Sequence, residues 1–262
     1  MAINTKIQPI IIGAPFGNYI RIPNTTQTIG TFTSAYRGGF WTRVWRALST
    51  VRYYHGIRAW KNRMGLPNPG IASLVGQVHE DKIISVMGFE ESDWVRCVET
   101  ALACRPLAIE LNASCPNCPG EDRTKYPETL KRLVRLSRKE LILKLPPVGY
   151  EKLLWTAVDA GISSFHCCNT LPTPGGGLSG KPLKLLSLRC ANDVMIWSYW
   201  GQRYKITRLV GGGGVTHHED ADDYFRLGCT NVAVASVLFN PFNWNRIQKI
   251  AELQGAMFQP KE

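Results

Sequence analysis

Eleven consecutive residues, Glu110 to Gly120 (ELNASCPNCPG), carry the densest chemistry in the chain. An apolar run ends at Leu111 and a loop follows, so these polar side chains lie just past a strand end. Asn112 and Asn117 are carboxamides, able to orient a planar polar ligand through their paired donors and acceptors. Cys115 offers a thiol, whose reference pKa of about 8.5 is close enough to neutrality for acid or base work once a site tunes it. For a cysteine taken alone, a buried structural thiol is the commoner role.

A second constellation is the run Gly211 to Gly214, between an apolar strand and a helical pattern. Amides bare of side chains can approach a phosphate closely, and the loops after the last two strands of a (β/α)₈ barrel are a recurrent phosphate site. Ala235 and Ser236 follow the next strand and add further amides and a hydroxyl. A surface turn is the alternative.

These residues need a frame to position them. From residue 83 onward short apolar runs alternate with helical patterns, the signature of a parallel sheet with crossover helices. Strands are expected at Ile83 to Met87, Leu107 to Leu111, Leu141 to Leu145, Ser164 to Cys167, Leu209 to Val210 and Asn231 to Val234. Helices are expected over Asp93 to Ala103, Pro127 to Arg138, Tyr150 to Ala160, Pro182 to Tyr199, His217 to Leu227 and Asn243 to Leu253. Two earlier runs, Gln8 to Ile12 and Thr26 to Phe32, complete eight strands. Thr216 and Glu219 read as a capping box, and Gly228 and Gly161 as left-handed helix ends. With 262 residues, 44% of them hydrophobic, the expected fold is a single-domain α/β (β/α)₈ TIM barrel whose first βα unit is shortened. Residues 1–79 form its basic first part and residues 80–262 its core.

The net charge is +11, and no acidic residue precedes Glu80, whereas nine Lys or Arg residues do. Such a block attracts polyanions, anionic lipids or an acidic partner, or forms a rim around an anionic substrate. Within it Phe40, Trp41, Val44, Trp45, Leu48 and Val51 recur at helical spacing, interleaved with Arg43, Arg46 and Arg52. That basic amphipathic helix is expected to cover the barrel mouth; lying on a membrane surface is the other reading. Contact with an anionic surface or nucleic acid would run through residues 37–63. No run of about 18 uncharged apolar residues is present, and no secretory signal, so a cytoplasmic location is expected. The eight cysteines are then expected to be free thiols. Cys115 and Cys118 form one C-x-x-C, but only the adjacent Cys167 and Cys168 could complete a zinc site, and side-by-side cysteines chelate one tetrahedral ion poorly.

At this point the segment ELNASCPNCPG resembles the active-site loop of the class 1 dihydroorotate dehydrogenases. Further matches follow in order: LKLPP around Lys144, CNT at Cys168 to Thr170, GGGLSG at Gly175 to Gly180, and the Gly211 to Gly214 run. Upstream, NRMGLPNPG at Asn62 to Gly70 is similar to the family's substrate-binding asparagine and its GLPN turn. The resemblance implies an FMN-dependent oxidoreductase of pyrimidine biosynthesis. It implies that Cys115 takes a proton from C5 of dihydroorotate while a hydride leaves C6 for FMN. Asn62, Asn112, Asn117, Asn169 and Thr170 would hold the substrate, and Lys144 would stabilise negative charge on the reduced flavin. Ala14, Lys144, Gly176, Gly177, Gly212, Gly213, Gly214, Ala235 and Ser236 would hold FMN. With no N-terminal membrane module like that of the class 2 enzymes and no iron–sulfur cysteine run, fumarate or another soluble acceptor is expected, and a homodimer is expected by analogy with class 1A.

One departure bears on activity. Family members carry a second-strand lysine in a KT-x-T context, and the matching TIGTFT places Gly30 there. Arg63, beside Asn62, and then Arg37 are the expected substitutes, with a lysine restored at Gly30 as the expected remedy. Two alternatives remain open: another flavin barrel, of the dihydropyrimidine dehydrogenase or dihydrouridine synthase kind, and a non-catalytic descendant with a binding role.

Overall fold

A computed structural model describes residues 6–114, 127–201 and 205–257. The chain begins with β1 (Ile10–Ile12), β2 (Thr25–Thr33), α1 (Phe40–Thr50), β3 (Arg52–Tyr54) and β4 (Ala59–Asn62). It continues through β5 (Lys82–Met87), α2 (Glu91–Ala103), β6 (Ala108–Leu111), α3 (Pro127–Leu136), β7 (Glu140–Leu145) and α4 (Glu151–Asp159). Next come β8 (Ser164–Cys167), β9 (Leu171–Thr173), β10 (Gly176–Gly180) and α5 (Leu183–Gly201). The described part ends with β11 (Arg208–Gly212), α6 (His218–Arg226), β12 (Asn231–Val234) and α7 (Trp244–Met257).

Eight of these strands close a parallel barrel in the order β1-β12-β11-β8-β7-β6-β5-β2, the expected eight. Between β1 and β2 there is only a 3₁₀ turn at Phe16–Asn18, so the first crossover is indeed shortened. The unexpected element is a four-stranded antiparallel sheet, in the order β3-β4-β10-β9. Its strands are three to five residues long and polar or glycine-rich, so no apolar periodicity announced them.

Strand alternation decides what each residue faces. Outward residues such as Ile109, Leu111, Leu143, Leu145 and Phe165 join the helices in the main core. Inward residues Ile11, Ile83, Ala108, Ile142, Val210 and Ala233 pack as a separate cluster. Two residues further along β5, β6 and β7 the inward layer turns polar, with Ser85, Glu110 and Lys144, joined by His166 of β8, all buried. The apolar layer thus plugs the barrel at the strands' N-terminal ends, and the polar layer forms a floor towards their C-terminal ends.

Local details refine the helix boundaries. At α6 the Asp220 carboxylate, rather than Glu219, accepts from the amides of Thr216 (2.9 Å) and His217 (3.0 Å), one position beyond the capping box expected from sequence. Gly228 ends that helix at φ +93° and Gly161 follows α4 at φ +94°, both left-handed as expected. Among the described residues no helix is long and apolar enough to cross a membrane.

Candidate active site

A cavity of about 470 Å³ opens at the C-terminal ends of the barrel strands, within the range of small-molecule sites. Its lining includes Ala14, Asn62, Asn112, Lys144, Asn169, Thr170, Gly212, Gly213, Gly214, Ala235 and Ser236, so the fold brings together most of the residues singled out from sequence. Cys115 and Asn117 lie outside the described residues. Gly176 and Gly177 do not line the cavity, although Ser179 and Gly180 of the same strand do. Gly176 is required by close backbone approach: at φ +129° a Cβ would stand 2.2 Å from the Asn62 carbonyl oxygen of the facing β4.

The polar wall is one hydrogen-bonded chain. Asn169 Nδ2 donates to Asn112 Oδ1 (2.7 Å), and Asn112 Nδ2 donates to Thr31 Oγ1 (2.9 Å). Asn169 Nδ2 also reaches Ser114 Oγ (3.2 Å), which itself donates to the Lys144 carbonyl (2.8 Å). The start of the Cys115 loop is therefore tied to β7 and to the loop after β8. Both carboxamides are held in one orientation, as a preorganised ligand site requires.

Beneath this wall lies an ionic layer in which sequence reasoning assigned a role to Lys144 alone. Glu110 accepts from Ser85 Oγ (2.8 Å), pairs with His166 Nδ1 (2.7 Å) and faces Lys144 Nζ at 3.7 Å. Burial alone would raise the Glu110 carboxyl, but Lys144 and the hydrogen bonds from His166 and Ser85 overcome it and hold it down at about 2. His166 moves the other way: burial first, then the Lys144 ammonium, push the imidazole below its usual value, against the pull of Glu110. At neutral pH the layer thus holds an ionised carboxylate and a neutral imidazole beside Lys144. A signal for it existed in the sequence, since Glu110 and His166 interrupt apolar strands at inward-facing positions.

At the opposite wall the loops after β11 and β12 form a cradle. Gly213 and Gly214 adopt φ of +133° and +68°. Among the described residues the backbone amides of Gly213, Gly214, Ala235 and Ser236 donate to no protein acceptor. Free amides on two adjacent loops form a concave anion site. The N-terminus of α6 is already capped by Asp220, so the loop amides are the available donors.

The structure bears on the expected departure at Gly30 and on the cations expected to compensate for it. β2 bulges between Ile29 and Phe32, and Gly30 sits at φ +112° with its amide and carbonyl clamped by the Asn18 side chain (3.0 and 2.8 Å). A Cβ on Gly30 would lie 2.4 Å from the Ser85 carbonyl oxygen, so lysine cannot be restored there without moving the strand. Neither Arg63 nor Arg37 lines the cavity; Arg37 instead reaches the Gly65 carbonyl and lies over the Phe89 ring. Among the described residues the cation that does line it, besides Lys144, is Arg43 of α1. Its Nε donates to the Pro67 carbonyl (2.8 Å) and its Nη1 to the Tyr19 hydroxyl (2.6 Å). Arg46 donates to the Met64 carbonyl (2.7 Å), so two arginines pin α1 to the loop after Asn62. Phe40, Val44 and Ala47 face the cavity, as the covering role requires, while Trp41, Trp45 and Leu48 on the other side are exposed.

Comparison with known proteins gives this geometry its context. The family described as dihydroorotate dehydrogenase matches residues 49–253. The chain is 30% identical over 211 residues to the dihydroorotate dehydrogenase B (NAD(+)) catalytic subunit of Endomicrobium trichonymphae, covering 70% of this chain and 67% of that protein. The corresponding subunit of Thermotoga maritima is 32% identical over 200 residues, covering 68% and 72%. A crystal structure of ligand-free dihydroorotate dehydrogenase from Eimeria tenella shares the fold, with a TM-score of 0.70 at 17% identity over 92% of this chain and 82% of that one. A barrel of this topology, matched over four-fifths of its length by one enzyme family, makes this chain a member of the dihydroorotate dehydrogenase family of oxidoreductases.

Proposed function

We propose that the chain oxidises dihydroorotate to orotate, with FMN as cofactor and Cys115 as the base. The observation that carries this reading is the cavity itself, where clamped carboxamides, Lys144 and a cradle of free amides converge at the barrel mouth. The residues present suit FMN: the Gly213, Gly214, Ala235 and Ser236 amides fit its phosphate, and Lys144 fits the electron-rich edge of its ring. FMN, when bound, would supply the acceptor for the hydride leaving C6. The chain's own contribution is proton removal from C5 by Cys115 and orientation of the ring by Asn62, Asn112, Asn117, Asn169 and Thr170. Arg43 supplies the cation for the substrate carboxylate. The relatives' names point to NAD⁺ and a companion subunit as the route for electrons, which we adopt in place of fumarate. The test is spectroscopic: protein reconstituted with FMN should show a flavin spectrum that dihydroorotate bleaches anaerobically. A flavin spectrum unchanged by dihydroorotate would overturn the activity.

Two substitutions probe the assignments. Gly213→Val should strip FMN from the protein on gel filtration, because the residue sits at φ +133° and its Cβ would press within 3.2 Å of the Leu183 Cβ. Full retention would remove the phosphate cradle. Arg43→Ala should weaken orotate binding by roughly ten- to a hundredfold, the scale of a charge-assisted hydrogen bond, while Arg63→Ala leaves it unchanged. Equal losses in both would show that α1 contributes only general positive charge.

The outer face of α1 supports contact with an anionic lipid surface. Trp41, Trp45 and Leu48 are exposed, and Arg52 beside them donates to the Leu48 carbonyl, in a region with no acidic residue before Glu80. The protein should sediment with phosphatidylglycerol vesicles and not with phosphatidylcholine vesicles, and Trp41→Ser with Trp45→Ser should abolish this. Sedimentation with neither lipid would exclude it.

A further inference from the structure

We propose that His166 is a ligand-contacting residue whose Nε2 accepts a hydrogen bond from a cyclic imide N–H at the floor of the cavity. The proposal rests on the flavin and dihydropyrimidine reading above and assigns those rings a polar partner that neither the sequence motifs nor the carboxamide wall supplies.

The argument starts from Glu110. An ionised carboxylate only accepts hydrogen bonds, so the nitrogen 2.7 Å away, His166 Nδ1, carries a proton. The imidazole is neutral at neutral pH, so Nε2 is left with its lone pair. That nitrogen points at ligand space. His166 lines the cavity, and Nε2 lies 3.4 Å from where a Cβ on Gly212 would stand, so the glycine leaves it uncovered from β11. No donor among the described residues meets it. An acceptor that opens onto the cavity gains a hydrogen bond when a ligand places a donor against it.

The neighbouring strand completes the pattern. Lys144 and His166 are partners in register across β7 and β8, and both line the cavity. An ammonium donor beside an imidazole acceptor complements an O=C–N–H edge, the lysine for the carbonyl oxygen and the histidine for the N–H. That edge occurs in the pyrimidine end of a flavin and in dihydroorotate and orotate alike. Glu110 is the positioning residue, since its bond to Nδ1 selects the tautomer and its charge holds Lys144.

The experiment compares each ligand with its N3-methylated form, which lacks the imide proton. The native protein should bind FMN more tightly than 3-methyl-FMN if the flavin is the donor, or bind orotate to the FMN-loaded protein more tightly than 3-methylorotate if the substrate is. The expected preference is about five- to tenfold, the scale of one hydrogen bond, in one arm. In His166→Ala, which removes the acceptor and makes room for the methyl group, that preference should fall to near unity; His166→Gln, which keeps an acceptor, should retain part of it. In ¹⁵N-histidine spectra of the native protein, the Nε2 resonance should be that of an unprotonated nitrogen and should shift when the donor ligand is added. Preferences unchanged by His166→Ala in both arms, or an Nε2 that carries the proton, would overturn the role of His166 while FMN binding and turnover left the proposed activity standing. Failure of the native protein to bind either FMN or orotate would overturn both.

Discussion

Replacing Cys115 with serine should slow anaerobic reduction of bound flavin by dihydroorotate by roughly 10²-fold or more, the usual scale for losing a positioned base, and leave FMN bound. The reason is acidity: a thiol near its reference pKa of about 8.5 can take and release a proton close to neutrality, whereas an alkyl hydroxyl cannot without a further base. The residues leading to Cys115 are held where such a base is needed. Asn112 and Ser114 are tied to Asn169 and to the Lys144 carbonyl, so the last described residues before Cys115 are fixed beside the cavity. Stopped-flow flavin absorbance measures the effect, and reduction at the parent rate would remove Cys115 from the mechanism.

Glu110→Ala should destabilise the protein by about 3–5 kcal/mol, the cost of leaving a buried charge uncompensated. Glu110 is 3% exposed and is the shared acceptor of Ser85 and His166 and the counter-charge of Lys144, so its loss leaves an ammonium and an N–H facing each other without an anion. Urea unfolding reads the change, with Glu110→Gln as the control that keeps the shape and loses the charge. The pH dependence has a definite sign. With its folded value lowered from 4.5 to about 2, the carboxylate contributes stability that is complete above 4.5 and disappears as pH falls through about 2. The difference between parent and Glu110→Ala should therefore narrow over that acidic window. A difference that stays constant from neutrality down to pH about 2 would mean that the cost is one of packing rather than charge.

Much of the barrel was readable because its signals are local. Apolar runs of strand length, alternating with amphipathic helical stretches, located all eight barrel strands to within about two residues at each end, since burial between barrel and helices acts on every such run alike. The glycine run and the Asn112 loop were readable for a related reason, as strand ends in this fold face one mouth. What the tertiary structure decided were meetings between distant segments. The short sheet of β3, β4, β9 and β10 forms because backbone from residues 52–62 meets backbone from 171–180, and polar, glycine-rich strands carry no periodicity of their own. Gly176 and Gly177 belong to that sheet, although sequence assigned them to the cofactor.

The cations expected to compensate at Gly30 show the same division. Proximity in sequence to Asn62 favoured Arg63, yet it is Arg43, nineteen residues before Asn62, that reaches the cavity, because α1 folds back over the mouth and is pinned to the Pro67 and Met64 carbonyls. Sequence marked Gly30 as the departure; only the bulge in β2 and the Ser85 carbonyl beside it show why no side chain fits there. Glu110 and His166 stand 56 residues apart and become a pair only when β6, β7 and β8 close side by side. Composition and periodicity determined which barrel strands would form; the closure of the barrel determined which charges share its floor, because a long-range contact between inward-facing side chains exists only once the strands carrying them are in register.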